Sequence, residues 1–358
     1  MRPMRRRALL AAATLPWWPR IAHGVEYPRI EAPRALQFPG DFGSHPAYRT
    51  EWWYVTGWLR AGGEREHGFQ VTFFRHRPGV GEDNPSAFAP SQLLFAHAAI
   101  ADPDIGHLLH DQRAARAGMG LAHASEATTD VKLLDWSFAR QADRYRAVVP
   151  AREFALDLAL APRVPPWPQG EGGYSRKGPR PEQASLYYSE PQLEVTGRLE
   201  RGGRGSAVTG RAWLDHEWSS EYLASEASGW DWTGLNLDDG GAIMAFVIRR
   251  RAGDALWAGG GLRTATGRTA SFGPGDVRFA HRRTWRSPRT GFTYPVETTI
   301  TLGDRTIELQ PLFDDQELDA RASTGTVYWE GAVCAIEGPH AIGRGYLELT
   351  GYGERLRL

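Results

Sequence analysis

At 358 residues the chain is longer than one hydrophobic core usually supports, so two domains are expected. Lys plus Arg and Asp plus Glu both number 42, which leaves no net field to gather nucleic acid or an anionic membrane and excludes polyanion binding as a main function. Hydrophobic residues at 41% and aromatics at 11%, with 14 Trp, exclude a disordered chain beyond the N-terminus and provide for sizeable cores and an aromatic-lined pocket.

The first 24 residues read as a signal peptide. Residues 1–7 carry four arginines, residues 8–18 are uncharged and mostly apolar, and Ala22-His23-Gly24 ends in small residues. Arg6-Arg7-Ala8-Leu9-Leu10 also has the look of a twin-arginine core. The apolar stretch falls short of the roughly 20 residues that span a bilayer, so the expected product is a periplasmic or secreted protein with no stable transmembrane anchor.

Beyond the leader, apolar residues recur with period two. Phe154, Leu156, Leu158 and Leu160 share one face, as do Leu193, Val195 and Leu199, the pattern of strands buried on one side. Further strands are expected over residues 52–59, 68–75, 93–101, 144–149, 242–250, 294–301, 305–309, 327–336 and 346–350. Turn signals such as Arg201-Gly202-Gly203 and Asp238-Asp239-Gly240-Gly241 separate them. Many antiparallel strands joined by short turns must form barrels or sandwiches that hide their edges. Residues 77–90 and 162–181 read as long loops, the second an ordered cavity rim. One helix is expected at 314–322, and the lone cysteine, Cys334, as a buried thiol in an apolar run. The domains are expected at 36–222 and 223–358.

Candidate chemistry concentrates in Trp213-Leu214-Asp215-His216-Glu217-Trp218 and Gly229-Trp230-Asp231-Trp232. On a strand, Trp213, Asp215 and Glu217 share a face. A carboxyl beside a second carboxylate and packed on indole holds its proton to higher pH and can act as a general acid. Asp215, His216 and Glu217 cannot share one ion, because strand neighbours point opposite ways. The 11 His show no metal-binding spacing, so no metal is expected. A serine hydrolase lacks its nucleophile motif. A structural reading stays open, in which the acids pair with arginines and the tryptophans fill barrels; Glu51-Trp52-Trp53-Tyr54 and Tyr328-Trp329-Glu330 read as core and cavity wall.

Seven motifs occur in order over residues 38–352: Thr50-Glu51-Trp52-Trp53-Tyr54-Val55-Thr56-Gly57, Ser175-Arg176-Lys177-Gly178-Pro179, Tyr187-Tyr188-Ser189-Glu190-Pro191, Trp213-Leu214-Asp215-His216-Glu217-Trp218-Ser219-Ser220, Gly229-Trp230-Asp231-Trp232, Tyr328-Trp329-Glu330-Gly331 and Gly345-Tyr346-Leu347-Glu348-Leu349-Thr350-Gly351. Together they resemble the AttH/CrtC family of lipocalin-like hydratases and predicted secreted hydrolases. The resemblance implies an all-β protein of two lipocalin-like (calycin-type) antiparallel barrel or sandwich domains packed side by side. It also implies a hydrophobic, isoprenoid-like ligand and a reaction without cofactor. Asp215 matches the suspected proton donor of the carotenoid hydratases and Asp231 a second aspartate motif, with Glu217 assisting. Trp213, Tyr188, Trp230, Trp232, Trp53 and Arg176 are the expected ligand contacts. The rival reading is a non-catalytic lipophile carrier beside components of an ABC export system. An enzyme should turn Asp215 and a second acid into one cavity; a carrier can tie them up in salt bridges, for example with Arg176 or Arg211.

Overall fold

Two-residue turns and alternating strands build two antiparallel sheets. The computed structural model describes residues 25–353 apart from 33, 63–64, 81–83 and 87; the leader expected at 1–24, and part of the loop expected at 77–90, lie outside the described residues. A 13-stranded sheet takes in strands from Thr50–Ala61 to Arg204–Ser219, and a 10-stranded sheet those from Ala227–Leu237 to His340–Thr350. In the first sheet the long hairpin of Ala184–Arg201 and Arg204–Ser219 lies between Thr50–Ala61 and Phe154–Ala161. Its turn is Gly202-Gly203, both at positive φ (55° and 73°), the backbone a two-residue hairpin requires and glycine adopts without strain.

Burial separates two kinds of strand. Phe154–Ala161 and Arg144–Pro150 alternate buried and open positions, so one face meets solvent. Thr50–Ala61, Ala242–Arg250 and the second half of Arg204–Ser219 are buried almost continuously, so both faces are covered. The inner face of the first sheet holds a core that includes Trp53, Leu59, Phe69, Trp136 and Leu214, and that of the second holds Leu235, Ile243, Val296, Trp329 and Leu347. A third cluster comes from the outer faces of both sheets, with Tyr54, Trp58, Tyr187, Trp213, Trp232, Phe246, Tyr328 and Tyr346. It packs the two units side by side.

Polar stitches fix this packing. A bulge between Glu190 and Leu193 lets Gln192, at φ 60°, turn its amide to the second sheet. Its backbone N–H donates to Asn236 Oδ1 (2.7 Å) and its Nε2 to the carbonyls of Leu237 and Gly241. Trp58 Nε1 donates to the Gly345 carbonyl (3.1 Å).

The helix expected at 314–322 is not formed. Glu317–Ala320 is a short strand paired with Thr326–Glu337. Leu318 and Ala320, two residues apart, are both buried, and that spacing suits a strand. Asp314 is drawn off to Arg283 (2.6 Å) and Glu317 accepts from Ser287 (2.7 Å). The segment 162–181 is ordered, with Trp167–Pro168 and Tyr174–Arg176 paired to Ala184–Arg201.

At the tightest point between the sheets a Cβ on Gly68 would stand 2.5 Å from the Tyr346 hydroxyl and 2.6 Å from Ala332 Cβ. Gly68→Val is therefore expected to cost about 1–3 kcal/mol in urea unfolding; an unchanged midpoint would mean that the sheets do not meet there.

Candidate functional site

Where large rings rather than small residues face each other, the sheets part around a cavity of roughly 280 Å³, close to the ~300 Å³ lower end of small-molecule sites. The first sheet contributes Trp52, Tyr54, Phe74, Phe95, His97, Asp215 and Glu217; the second contributes Trp230, Trp232, Tyr328, Glu330 and Glu348. Period two explains the selection, because Asp215 and Glu217 alternate with Leu214, His216 and Trp218, which turn into the first sheet's interior.

Asp215 is 3% exposed. Ser189 Oγ and Trp213 Nε1 both donate to its Oδ1 (2.6 Å each), and the Tyr187 hydroxyl donates to Oδ2 (2.7 Å). Tyr187 in turn accepts from Trp232 Nε1 (3.2 Å). With Oδ1 filled by two donors, the acid proton belongs on Oδ2. Among the described residues no cation pairs with Asp215. Burial pushes its carboxyl up to about 7, the neighbouring Glu217 charge adds to the rise, and the three hydrogen bonds restrain it.

Glu217 differs by having a counter-charge. Lys177 Nζ, itself 2% exposed, lies 2.9 Å from Glu217 Oε1, and Ser185 donates to the same oxygen. The ammonium also sits over the rings of Phe246 (4.3 Å) and Tyr187 (4.7 Å). On the facing wall Glu330 accepts from Tyr54, and Glu348 accepts from Trp230 Nε1 (3.1 Å) and Thr350 Oγ1 (2.9 Å). Burial pushes Glu348 up to about 7, with the Glu217 and Asp231 charges adding; burial and the Glu348 charge push Glu330 well above the carboxylate range. At the other end His97 accepts or donates through Nδ1 with the Tyr328 hydroxyl (2.8 Å) and through Nε2 with Ser323 (2.9 Å). Burial holds its pKa down at about 3, with His110 adding to the fall, so the imidazole is neutral.

Of the residues expected from sequence, Asp215, Glu217, Trp230 and Trp232 line the cavity and Trp213 supports Asp215 through its N–H. Four lie elsewhere. Asp231 points into the second sheet's interior, where Arg249 Nε (2.9 Å), His281 Nε2 (3.0 Å) and the Tyr352 hydroxyl (2.9 Å) meet it. It forms an ion pair behind the wall and does not line this cavity. Tyr188 faces the first sheet's interior beside His216 (3.1 Å), and Trp53 stacks on the same imidazole (4.7 Å). Arg176 lies over the Trp257 ring (4.3 Å), and Arg211 donates to Gln192; neither pairs with Asp215 or Glu217.

Sequence reasoning singled out none of Tyr187, Lys177, His97 and Glu348, and read Glu330 only as part of a core and cavity-wall run. The two glutamates carried a readable signal, since each stands at every-second-residue spacing from a buried tyrosine, Tyr328 and Tyr346. His45, Glu51 and His216 bring ligand atoms within 4.8 Å of one another and are the metal-capable group among the described residues. Glu51 there already accepts from Arg75 Nε (2.7 Å), His216 Nε2 (2.9 Å) and His45, and His45 Nε2 reaches Asp41 (3.2 Å). Burial alone would raise the Glu51 carboxyl, yet the two histidines and Arg75 hold it far below its usual range. Its hydrogen bonding is complete without an ion.

A family model described as AttH-like matches residues 29–352. The crystal structure of a Nitrosomonas europaea protein assigned to AttH superposes with a TM-score of 0.86 at 52% identity, covering 91% of this chain and 99% of that one. Kievitone hydratase of Nectria haematococca superposes with a TM-score of 0.70 at 14% identity, covering 92% and 97%. CghA does so at 0.53 and 14%, covering 86% and 89%. At such identities the last two share the lipocalin-like fold. No curated protein matches this chain by sequence.

Two measurements check the electrostatics. Asp215 holds its proton to about 7 when folded and to about 3.9 when unfolded; the native state is thus favoured at low pH and loses that advantage as pH rises through this window. Asp215→Asn is expected to flatten part of the fall in unfolding free energy, the part due to Glu190, Glu330 and Glu348 remaining; a parallel pH profile would contradict the assignment. Arg249→Met strands buried Asp231 and is expected to cost about 3–5 kcal/mol, most of it recovered when Asp231→Asn is added.

Proposed function

The chain belongs to the AttH-like family, and from that premise we propose that the cavity between its sheets takes a hydrophobic, isoprenoid-like small molecule and adds water across a carbon–carbon double bond, with Asp215 as general acid. The observation that carries this reading is a carboxyl without a counter-cation, pushed up to about 7, facing an aromatic cavity. A group in that state delivers a proton near neutral pH.

The protonated Asp215 gives its proton to the less substituted alkene carbon, and the positive charge forms on the more substituted one. Ring faces of Trp52, Trp230, Trp232 and Tyr54 line the cavity and stabilise that charge, about 0.5–2 kcal/mol each when desolvated. Water adds its oxygen to the cation from the opposite side, and its proton passes to the facing wall at Glu348, whose carboxyl, pushed up to about 7, is partly ionised near neutral pH. Proton return to Asp215 closes the cycle, and the step balances without a cofactor. Glu217, held by Lys177, orients Asp215 through charge.

The likeness to a hydratase supports the reading through shared fold. Asp215 and further acids facing one cavity, with Arg176 and Arg211 engaged elsewhere, favour an enzyme over a carrier. Export to the periplasm or beyond belongs to the proposal too. It rests on the signal-like pattern of residues 1–24, ahead of a family match that begins at residue 29.

The test is native mass spectrometry with lipid extraction on protein purified from its own membrane fraction, comparing wild type with Asp215→Asn. Wild type is expected to return a hydrated product and the variant the unhydrated alkene, with turnover lower by about 10²–10⁴-fold and declining above about pH 7 in wild type. The same unaltered lipid on both would make Asp215 structural and the protein a carrier, with ABC transporter components as its partners.

A further inference from the structure

The buried acids in and around the cavity are unevenly matched by cations. Arg75 serves Glu51 (2.7 Å), Lys177 serves Glu217 (2.9 Å), and behind the wall Arg249 serves Asp231 (2.9 Å). Among the described residues no lysine, arginine or histidine forms an ion pair with Glu330 or Glu348.

These two glutamates are direct cross-strand partners, Glu330 opposite Glu348, and both line the cavity. Like charges at directly opposed positions of a sheet repel. Glu330 is 1% exposed; it accepts from Tyr54 through Oε1, and its Oε2 has no hydrogen-bond partner. A buried acceptor without a partner costs on the order of 1–3 kcal/mol, so such groups persist where something else meets them. Protons held on the pair relieve that repulsion in the unliganded protein; a ligand hydroxyl would satisfy one oxygen alone, whereas a positive charge can replace the protons and compensate both carboxylates at once. The rings beside the pair suit the same charge. Tyr54 and Trp232 stand edge to face at 5.2 Å, and Trp230 and Tyr328 complete the surround. Electron-rich ring faces closed off by carboxylates are the chemistry that binds organic cations.

We infer that the ligand of this cavity carries a positively charged nitrogen, an amine or quaternary ammonium on an apolar body, seated against Glu330 and Glu348. The inference rests on the cavity being the ligand site, as proposed above, and names the class of ligand it takes. The titratable groups facing the pair are Tyr54, Tyr222, Tyr328 and Tyr346, with Asp215 and the Glu217–Lys177 pair across the cavity and the Asp231–Arg249 pair behind the wall. A cation entering there displaces protons from the glutamates, so its binding strengthens as pH rises and releases protons.

A matched pair of probes tests this: benzyltrimethylammonium and neopentylbenzene, its neutral carbon isostere, titrated into the full chain and followed by tryptophan fluorescence, because Trp52, Trp230 and Trp232 line the cavity. At about pH 8 the ammonium is expected to bind at least about tenfold more tightly than the isostere, and the preference should shrink below about pH 6. Glu330→Gln combined with Glu348→Gln should remove the preference and leave isostere binding in place. If the isostere binds as well as the ammonium, the cation inference fails while the cavity stands as a ligand site. If neither binds, both fail. An ammonium preference that survives in the folded double variant also overturns it, since the glutamates would then not be its source. Should the double variant not fold, the wild-type comparison alone decides.

Discussion

A β-strand has two faces, and the strands at the centre of this molecule bury both. Thr50–Ala61, the first half of Ala184–Arg201 and the second half of Arg204–Ser219 on one side, and Ala227–Leu237, Thr326–Glu337 and the second half of His340–Thr350 on the other, give one face to the interior of their own sheet and the other to the opposing sheet. The apposition is what makes a site. Near Gly68, Ala101 and Ala332 the side chains are small and the sheets close up. Where Tyr54, Trp230, Trp232 and Tyr328 meet, the rings hold them apart and leave a cavity whose walls belong to both units.

Burying those faces also decides the electrostatics. An acid placed between two sheets loses its water, and its fate depends on what replaces it. Glu51 receives Arg75 and two histidines and is firmly ionised. Asp231 receives Arg249, His281 and Tyr352. Asp215 receives only neutral donors, and Glu348 and Glu330 likewise, so these three hold protons near or above neutral pH. Acids of similar composition thus divide into structural charges and chemical groups according to whether a cation faces them.

Much of the architecture was legible in the alternation. The strands, the glycine turns and the pairing of Asp215 with Glu217 on one face follow from period two, because that periodicity is a property of the backbone itself. The segment 314–322 misled, since its apolar residues are few and its charged ones find partners only in the folded chain: Asp314 with Arg283, Glu317 with Ser287. Tyr187 and Tyr188 show the same limit at the scale of one residue. Adjacent on a strand, they point to opposite faces, and the register that sets Ser189 opposite Asp215 and Tyr188 opposite His216 decides which tyrosine reaches the acid.

The amino-acid sequence by itself determined the fold class, the face shared by Trp213, Asp215 and Glu217, and the neutral overall charge, because local periodicity and composition suffice for these. Only the tertiary structure decided which side of each sheet would meet the other unit. Because strand neighbours alternate, turning Trp230 and Trp232 to the cavity sends Asp231 the other way, to its ion pair; the same choice brings Lys177 to Glu217 and Glu330 beside Glu348. The partners, Arg249 for Asp231, Lys177 for Glu217 and Glu348 for Glu330, lie distant in the chain or on different strands, and no spacing along one strand specifies them.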